Sequence, residues 1–81
     1  MIKLTKKADA LRIADMDLSN LTDEQIEVIR RLALRAEADS FERSNRADND
    51  DARNGWGNLA ESIGRLLGRL DNEKENREEA A

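Results

Sequence analysis

The stretch Trp56–Leu70, WGNLAESIGRLLGRL, decides the fold of this chain. Large apolar residues recur in it at spacings of three, four, three and four, at Trp56, Leu59, Ile63, Leu66 and Leu70. This spacing puts all five side chains on one side of an α-helix, as in helices that pack against other helices. We predict a helix over residues 55–70 whose apolar side, the Trp56–Leu70 seam, is an assembly interface.

Small residues form a second stripe beside the seam, at Ala60, Gly64 and Gly68. A glycine inside a helix costs about 1 kcal/mol relative to alanine. A helix that keeps two of them is expected to gain a close approach of another backbone. We therefore include Gly64 and Gly68 in the predicted interface.

The composition leaves room for only a thin core. The chain has 81 residues, of which 40% are charged and 2% aromatic, and it contains neither Cys nor His. No disulfide can form, and the usual ligands of structural zinc are missing. Small domains usually need a disulfide, a structural metal or oligomerisation to be stable. We therefore expect self-association to complete the core. The predicted partner is a second copy that meets the seam.

Helices are expected throughout, since Pro is absent and every Gly lies between residues 55 and 68. Thr22 and Gln25 form the capping-box pattern of a helix start. Acid-before-base pairs four residues apart, Asp39–Arg43 and Glu42–Arg46, favour continuing that helix to residue 46. We predict an all-α fold of two or three helices, at about 5–17, 22–46 and 55–70, in a helical hairpin or small bundle.

The last residues have the composition of a flexible tail. Residues 71–81 contain no large apolar side chain, and acids at a helix C-terminus oppose the helix dipole. We therefore expect a single helical domain over residues 1–70, followed by a flexible acidic tail.

The residue types argue against an enzyme. The chain lacks His, the commonest general base, and Cys, the thiol nucleophile. Its Ser residues have no neighbouring residues that would activate them as nucleophiles. We expect no catalytic residue, no cofactor and no metal. Oxygen-bearing residues do follow an EF-hand-like order, at Asp50, Asn54, Asn58 and Glu61 with Gly55 in the turn position. Ala52 and Gly57 break the pattern, so a calcium-responsive helical module is kept only as an alternative.

Direct nucleic-acid binding is not expected either. The net charge is −4, and the basic residues do not form one stripe. A small dimeric helix-turn-helix regulator is a further alternative, because basic residues lie on the first two helices. Asp23, Glu24 and Glu27 would, however, stand where a recognition helix meets phosphates.

The remaining hypothesis is a non-catalytic binding protein that docks on a larger protein or nucleoprotein and inhibits or adapts it. Small phage and mobile-element inhibitors of host complexes have this character. Two charged surfaces are candidates for recognition. They are a basic patch of Arg30, Arg31 and Arg35, and an acidic rod of Asp39, Glu42, Asp48, Asp50 and Asp51. The sequence shows neither a signal peptide nor a long apolar run, so we expect a cytoplasmic protein with no membrane contact.

Overall fold

The computed structural model describes Leu4 and residues 6–80, and this part of the chain is helical without strands. It contains α1 (Lys7–Asp15), a short 3₁₀ helix η1 (Leu18–Asn20), α2 (Asp23–Arg46) and α3 (Asp50–Ala80). α2 and α3 pack along each other as a hairpin, and α1 packs against α3. The prediction of an all-α fold is confirmed.

The start of α2 is secured by its capping box. The Gln25 backbone N–H donates to Thr22 Oγ1 at 3.1 Å, and the Thr22 N–H donates to Gln25 Oε1 at 2.9 Å. Asp23 and Glu24 in the first turn suit the positive end of the helix dipole. The helix then continues to Arg46, where the prediction also placed its end.

α3 begins at Asp50, five residues before the predicted start. Asn49 provides the reason, because its Oδ1 accepts the Ala52 backbone N–H at 2.7 Å and so caps the first turn. Ser44 Oγ also donates to the Arg53 carbonyl at 2.9 Å and ties this turn to the end of α2. Gly55 and Gly57 consequently lie inside the helix.

The Trp56–Leu70 seam is the core of the single chain. Leu59, Ile63, Leu66 and Leu70 are at most 3% exposed, and Trp56 is half-buried at the edge of the cluster. The chain's own residues cover the seam: Ala10 and Ile13 of α1, Leu18 of η1, and Ile26, Ile29 and Ala33 of α2. A second copy could reach the seam only if the fold opened. Dimerisation stays a prediction, but its surface has to lie elsewhere.

The ends of the remaining segments also differ from the prediction. α1 ends at Asp15 because Met16 has extended backbone angles, and Asp17 then caps η1. The predicted start of this helix, Thr5, lies outside the described residues. At the other end α3 runs to Ala80, so residues 71–80 are helical where a flexible tail was predicted; Ala81 lies outside the described part.

The buried seam generates a stability prediction. Leu66 is fully buried, so Leu66→Ala should lower the free energy of unfolding by about 2–5 kcal/mol through lost burial and a residual cavity. Leu11→Ala, at a 38% exposed leucine on α1, is the matched control and should cost much less. Urea denaturation followed by circular dichroism measures both. Equal losses in the two variants would contradict a core centred on Leu66.

Candidate protein-binding surfaces

Within the described part of the chain, the predicted basic patch divides into one arginine that forms ion pairs and two that form none. Arg30 Nε donates to Asp71 Oδ1 at 3.0 Å, and its guanidinium also lies 3.9 Å from Glu27. Arg31 and Arg35 are exposed, and neither has an ion-pair partner among the described residues. The cationic surface that remains for a ligand is therefore Arg31 and Arg35.

The predicted acidic rod is largely neutralised within its own helices. Asp39 pairs with Arg43 at 2.9 Å and Glu42 with Arg46 at 2.8 Å, both across one helical turn. Asp50 lies 3.6 Å from Arg53. Asp48 and Asp51 are exposed near the α2–α3 turn and form no ion pair within the part of the chain that the structure describes. The rod therefore does not act as one concentrated acidic surface.

Exposed apolar side chains lie on two flanks of α2. The helix has 3.6 residues per turn, and its inner side is marked by Ile26, Ile29, Ala33 and Ser40. Four of its apolar residues are 40–52% exposed: Val28, Leu32, Leu34 and Phe41. By helical position, Val28 and Leu32 fall on one side of the buried strip together with Arg35, and Leu34 and Phe41 fall on the other. We call these sets the Val28 flank (Val28, Leu32, Arg35) and the Phe41 flank (Leu34, Phe41).

The α3 glycines have different surroundings. A Cβ at Gly64 would lie 3.1 Å from Glu37 Oε2 of α2, so this glycine does permit a close approach between the two helices. A Cβ at Gly57 would meet Ser44 Oγ at an ordinary 3.6 Å. A Cβ at Gly68 would meet nothing within 4 Å among the described atoms. The packing of the single chain therefore accounts for Gly64 and leaves Gly68 unexplained.

Trp56 belongs to the edge of the core. The Arg43 guanidinium lies 4.9 Å from the centroid of its ring, a cation–π distance, and covers part of the indole. Other parts of Trp56 line a shallow cavity of about 240 Å³ together with Lys6, Lys7, Ala52, Gly55 and Leu59. Trp56 thus serves chiefly to close the α2–α3 hairpin near its turn.

Arg77 is the residue that sequence reasoning missed. Its Nη1 donates to Asp23 Oδ1 at 2.6 Å, and its Nε donates to Glu73 Oε1 at 2.9 Å. Its Nη2 donates to backbone carbonyls of η1 and the residue after it, at 2.9 Å to Leu18 and 2.6 Å to Leu21. The hydrogen bonds to Asp23 and Glu73 raise the pKa of Arg77 above its ordinary value.

This arrangement, the Arg77 clasp, explains why residues 71–80 are ordered as helix. The segment has no large apolar side chain, but Arg77 fastens it to η1 and to the first turn of α2. Asp71 adds its pair with Arg30, and Lys74 Nζ lies 3.9 Å from Glu27. The local sequence contains only the Glu73–Arg77 pair, because every other Arg77 partner is more than fifty residues away.

The calcium-like pattern does not form a loop. Asp50 and Glu61 both lie in α3, and eleven residues of helix separate them by about 16 Å, too far to share one ion. Across the described residues, no three carboxylate, Cys or His side chains are grouped so that they could hold a metal. Nor does any helix in that range combine the length and apolar character needed to cross a membrane.

The hydroxyl groups of the two buried serines form hydrogen bonds to backbone carbonyls of their own helices. Ser40 Oγ donates to the Ala36 carbonyl at 2.7 Å, and Ser62 Oγ donates to the Asn58 carbonyl at 3.0 Å. Both hydroxyls are thereby satisfied inside the hairpin, where a substrate has no access. Their geometry is structural.

Comparisons of this chain with models of protein families, with curated proteins and with solved structures find no match in any of the three. Arguments about function therefore rest on the surfaces described above.

The Arg77 clasp can be tested by amide hydrogen exchange. Arg77→Ala removes every tie from this guanidinium to η1 and α2, so amides near the end of α3 and in η1 should exchange faster. Protection around Leu66 should change much less. Arg65→Ala is the control, since the one ion pair of Arg65 with a described residue is to Glu61 on its own helix, at 3.2 Å. Unchanged exchange at the end of α3 in Arg77→Ala would show that the clasp does not hold this segment.

Asp17 gives the cap of η1 a defined pH dependence. Its carboxylate accepts hydrogen bonds from the Ser19 hydroxyl and the Ser19 backbone N–H, which lower the pKa of Asp17 below 3.8. A lowered folded-state pKa stabilises the fold above the unfolded-state value and ceases to do so as pH falls through the folded-state value. The stability difference between the native chain and Asp17→Asn should therefore be largest near neutral pH and shrink below about pH 4.

Urea denaturation across this pH range measures that difference. Asp48→Asn, at an exposed carboxylate for which the described structure contains no hydrogen bond or ion pair, is the control and should show a difference that varies less with pH. A native-minus-Asp17→Asn difference that is flat with pH would rule out the Asp17 cap as a source of stability.

Proposed function

We propose that this protein is a non-catalytic binding protein that docks on a larger protein through the Val28 flank and thereby inhibits or adapts it. One observation carries the proposal. Arg35, a guanidinium with no ion-pair partner among the described residues, follows Val28 and Leu32 on one helical stripe, and both apolar side chains are close to half exposed.

The chemistry of this flank favours a protein ligand. Removing a whole valine or leucine side chain from water contributes about 1.5–3 kcal/mol of favourable free energy. Val28 is 48% and Leu32 40% exposed, so covering each of them in a complex would contribute roughly half of that amount. Arginine offers a planar fork that matches a carboxylate, and it is enriched in protein interfaces. The complementary surface is therefore an apolar patch that carries an Asp or Glu side chain.

A second copy is a poor occupant of the Val28 flank. Antiparallel two-fold pairing centred on this flank would place Arg35 of each copy against Val28 of the other and leave both guanidinium groups without a carboxylate partner. Burying a charge without a partner is unfavourable. The occupant proposed for this flank is accordingly a different protein.

Nucleic-acid binding is the second candidate, because Arg31 and Arg35 are also suited to phosphate contacts. Glu24 and Glu27 precede them on α2 and would repel a phosphate backbone. Two unpaired arginines would also give only a shallow dependence of affinity on salt. This candidate is therefore tested as an alternative outcome of the experiment below.

A photo-crosslinking amino acid placed at Leu32, in the cells that produce the protein, tests the proposal. We expect a crosslink to one defined protein, and we expect Arg35→Glu to weaken that complex at least about tenfold, the effect of losing 1.4 kcal/mol. The matched control is the crosslinker at Arg65, an exposed position on α3 that should not yield this product.

Two results would contradict the proposal. Equal crosslinking from positions 32 and 65 would indicate non-specific contact. Crosslinking to nucleic acid, together with salt-sensitive retention on heparin, would favour the regulator alternative.

A further inference from the structure

We propose that a second copy of this chain covers the Phe41 flank, by antiparallel two-fold pairing that seats Phe41 of each copy over Leu34 and Gly68 of the other. This surface lies outside the buried Trp56–Leu70 seam. It is also distinct from the Val28 flank, so the inference stands independently of the proposed function.

Two contacts establish which residues of α2 and α3 lie side by side. Arg30 reaches Asp71 at 3.0 Å near one end of the hairpin. Towards the middle, Glu37 lies against Gly64. Leu34 falls between Arg30 and Glu37 on α2, and Gly68 falls between Gly64 and Asp71 on α3. Because the two helices run antiparallel, Leu34 and Gly68 are at the same level of the hairpin.

At the level of Leu34 and Gly68, the surface of the hairpin has an exposed apolar side chain next to open space. Leu34 is 44% exposed, and a Cβ on Gly68 would meet no described atom within 4 Å. Two helical turns away, about 10 Å along α2, Phe41 is the most exposed large apolar side chain of the described residues, at 52%. The flank thus presents a large ring at one level and room for a ring at another.

These features are symmetric about a point on α2. Leu34 and Phe41 lie at nearly equal distances on either side of Ala38, an exposed small residue. A two-fold axis beside Ala38 places Phe41 of each copy against Leu34 and Gly68 of the other, so the contact occurs twice. Such self-complementarity is what an isologous dimer interface requires.

The charges at the edge of this flank follow the same symmetry only loosely. Arg31 and Glu42 lie close together around the α2 axis, seven residues before and four residues after Ala38. Arg31 has no ion-pair partner among the described residues, and Glu42 has only the exposed pair with Arg46. The antiparallel pairing brings Arg31 of each copy towards Glu42 of the other. At its edge the flank therefore offers opposite charges to a second copy.

The size of the flank is consistent with a reversible dimer. The molecule is 17 Å wide. An axis beside Ala38 sets residues 30–46 of α2 against the same residues of the second copy, which is about 26 Å of helix. The buried surface is then roughly 430 Å² per copy, the size of a weak, transient interface. Each dimer would leave two Val28 flanks uncovered.

Solution mass tests the proposal. Light scattering or sedimentation of the native chain over roughly 10 µM to 1 mM, a range suited to a weak dimer, should show a monomer that converts to a dimer. Phe41→Glu should remain monomeric throughout. Leu11→Glu, which charges an exposed leucine of α1, is the control and should dimerise like the native chain.

Gly68→Leu separates the dimer from the fold. Within one chain the added side chain enters open space and removes a glycine from a helix, so the melting temperature at low concentration should stay equal or rise. The same side chain fills the space that Phe41 of a second copy would use, so dimerisation should be lost. This variant keeps the proposal testable even if Phe41→Glu fails to fold.

Charge reversal tests the pairing geometry. Arg31→Glu should weaken dimerisation about tenfold, and Arg31→Glu combined with Glu42→Arg should restore it at least partly, because the pair is re-formed with opposite signs. A native chain that stays monomeric at 1 mM would overturn the proposal. So would dimers that persist in both Phe41→Glu and Gly68→Leu, or a double reversal that is no stronger than Arg31→Glu alone.

Discussion

The packing of one side of α3 against the rest of the chain is the interaction on which this structure depends. Leu59, Ile63, Leu66 and Leu70 are almost fully removed from water, and α1, η1 and α2 each contribute side chains to that contact. In a chain with 40% charged residues, the buried apolar side chains of the described part form one cluster around this contact. The hairpin and the position of α1 follow from the need to cover this single apolar stripe.

Because the inner sides of α2 and α3 form the core, the two surfaces that we propose for binding lie on the outer flanks of α2. The two flanks differ in one physical respect. The Val28 flank carries its guanidinium group at one end, at Arg35, so pairing with itself would set that charge against Val28 and not against a carboxylate. The Phe41 flank presents Phe41, the small residue Ala38 and the open space beside Gly68. Its edge carries one positive and one negative side chain, Arg31 and Glu42. We therefore propose a different protein as the ligand of the first surface and a second copy as the ligand of the second.

Some of the functional surface was accessible to sequence reasoning, and the limits have physical causes. Arg30, Arg31 and Arg35 are neighbours on a helix, so their patch could be predicted from spacing alone. The ion pair between Arg30 and Asp71 could not be predicted in this way, because it spans forty-one residues and forms only when α3 folds back along α2. Gly64 and Gly68 look equivalent in sequence, yet only Gly64 faces a side chain of α2.

The sequence by itself determined the helical class, the cap of α2 at Thr22 and the identity of the apolar stripe that forms the core. These features depend on residue spacing of three or four and on hydrogen bonds between near neighbours. Only the tertiary structure decided that the stripe is covered from within the chain, that α3 extends to Ala80, and which arginines of α2 lack an ion-pair partner among the described residues. Those outcomes depend on contacts such as the bonds from Arg77 to Asp23, Leu18 and Leu21, which span more than fifty residues and form only when the hairpin closes.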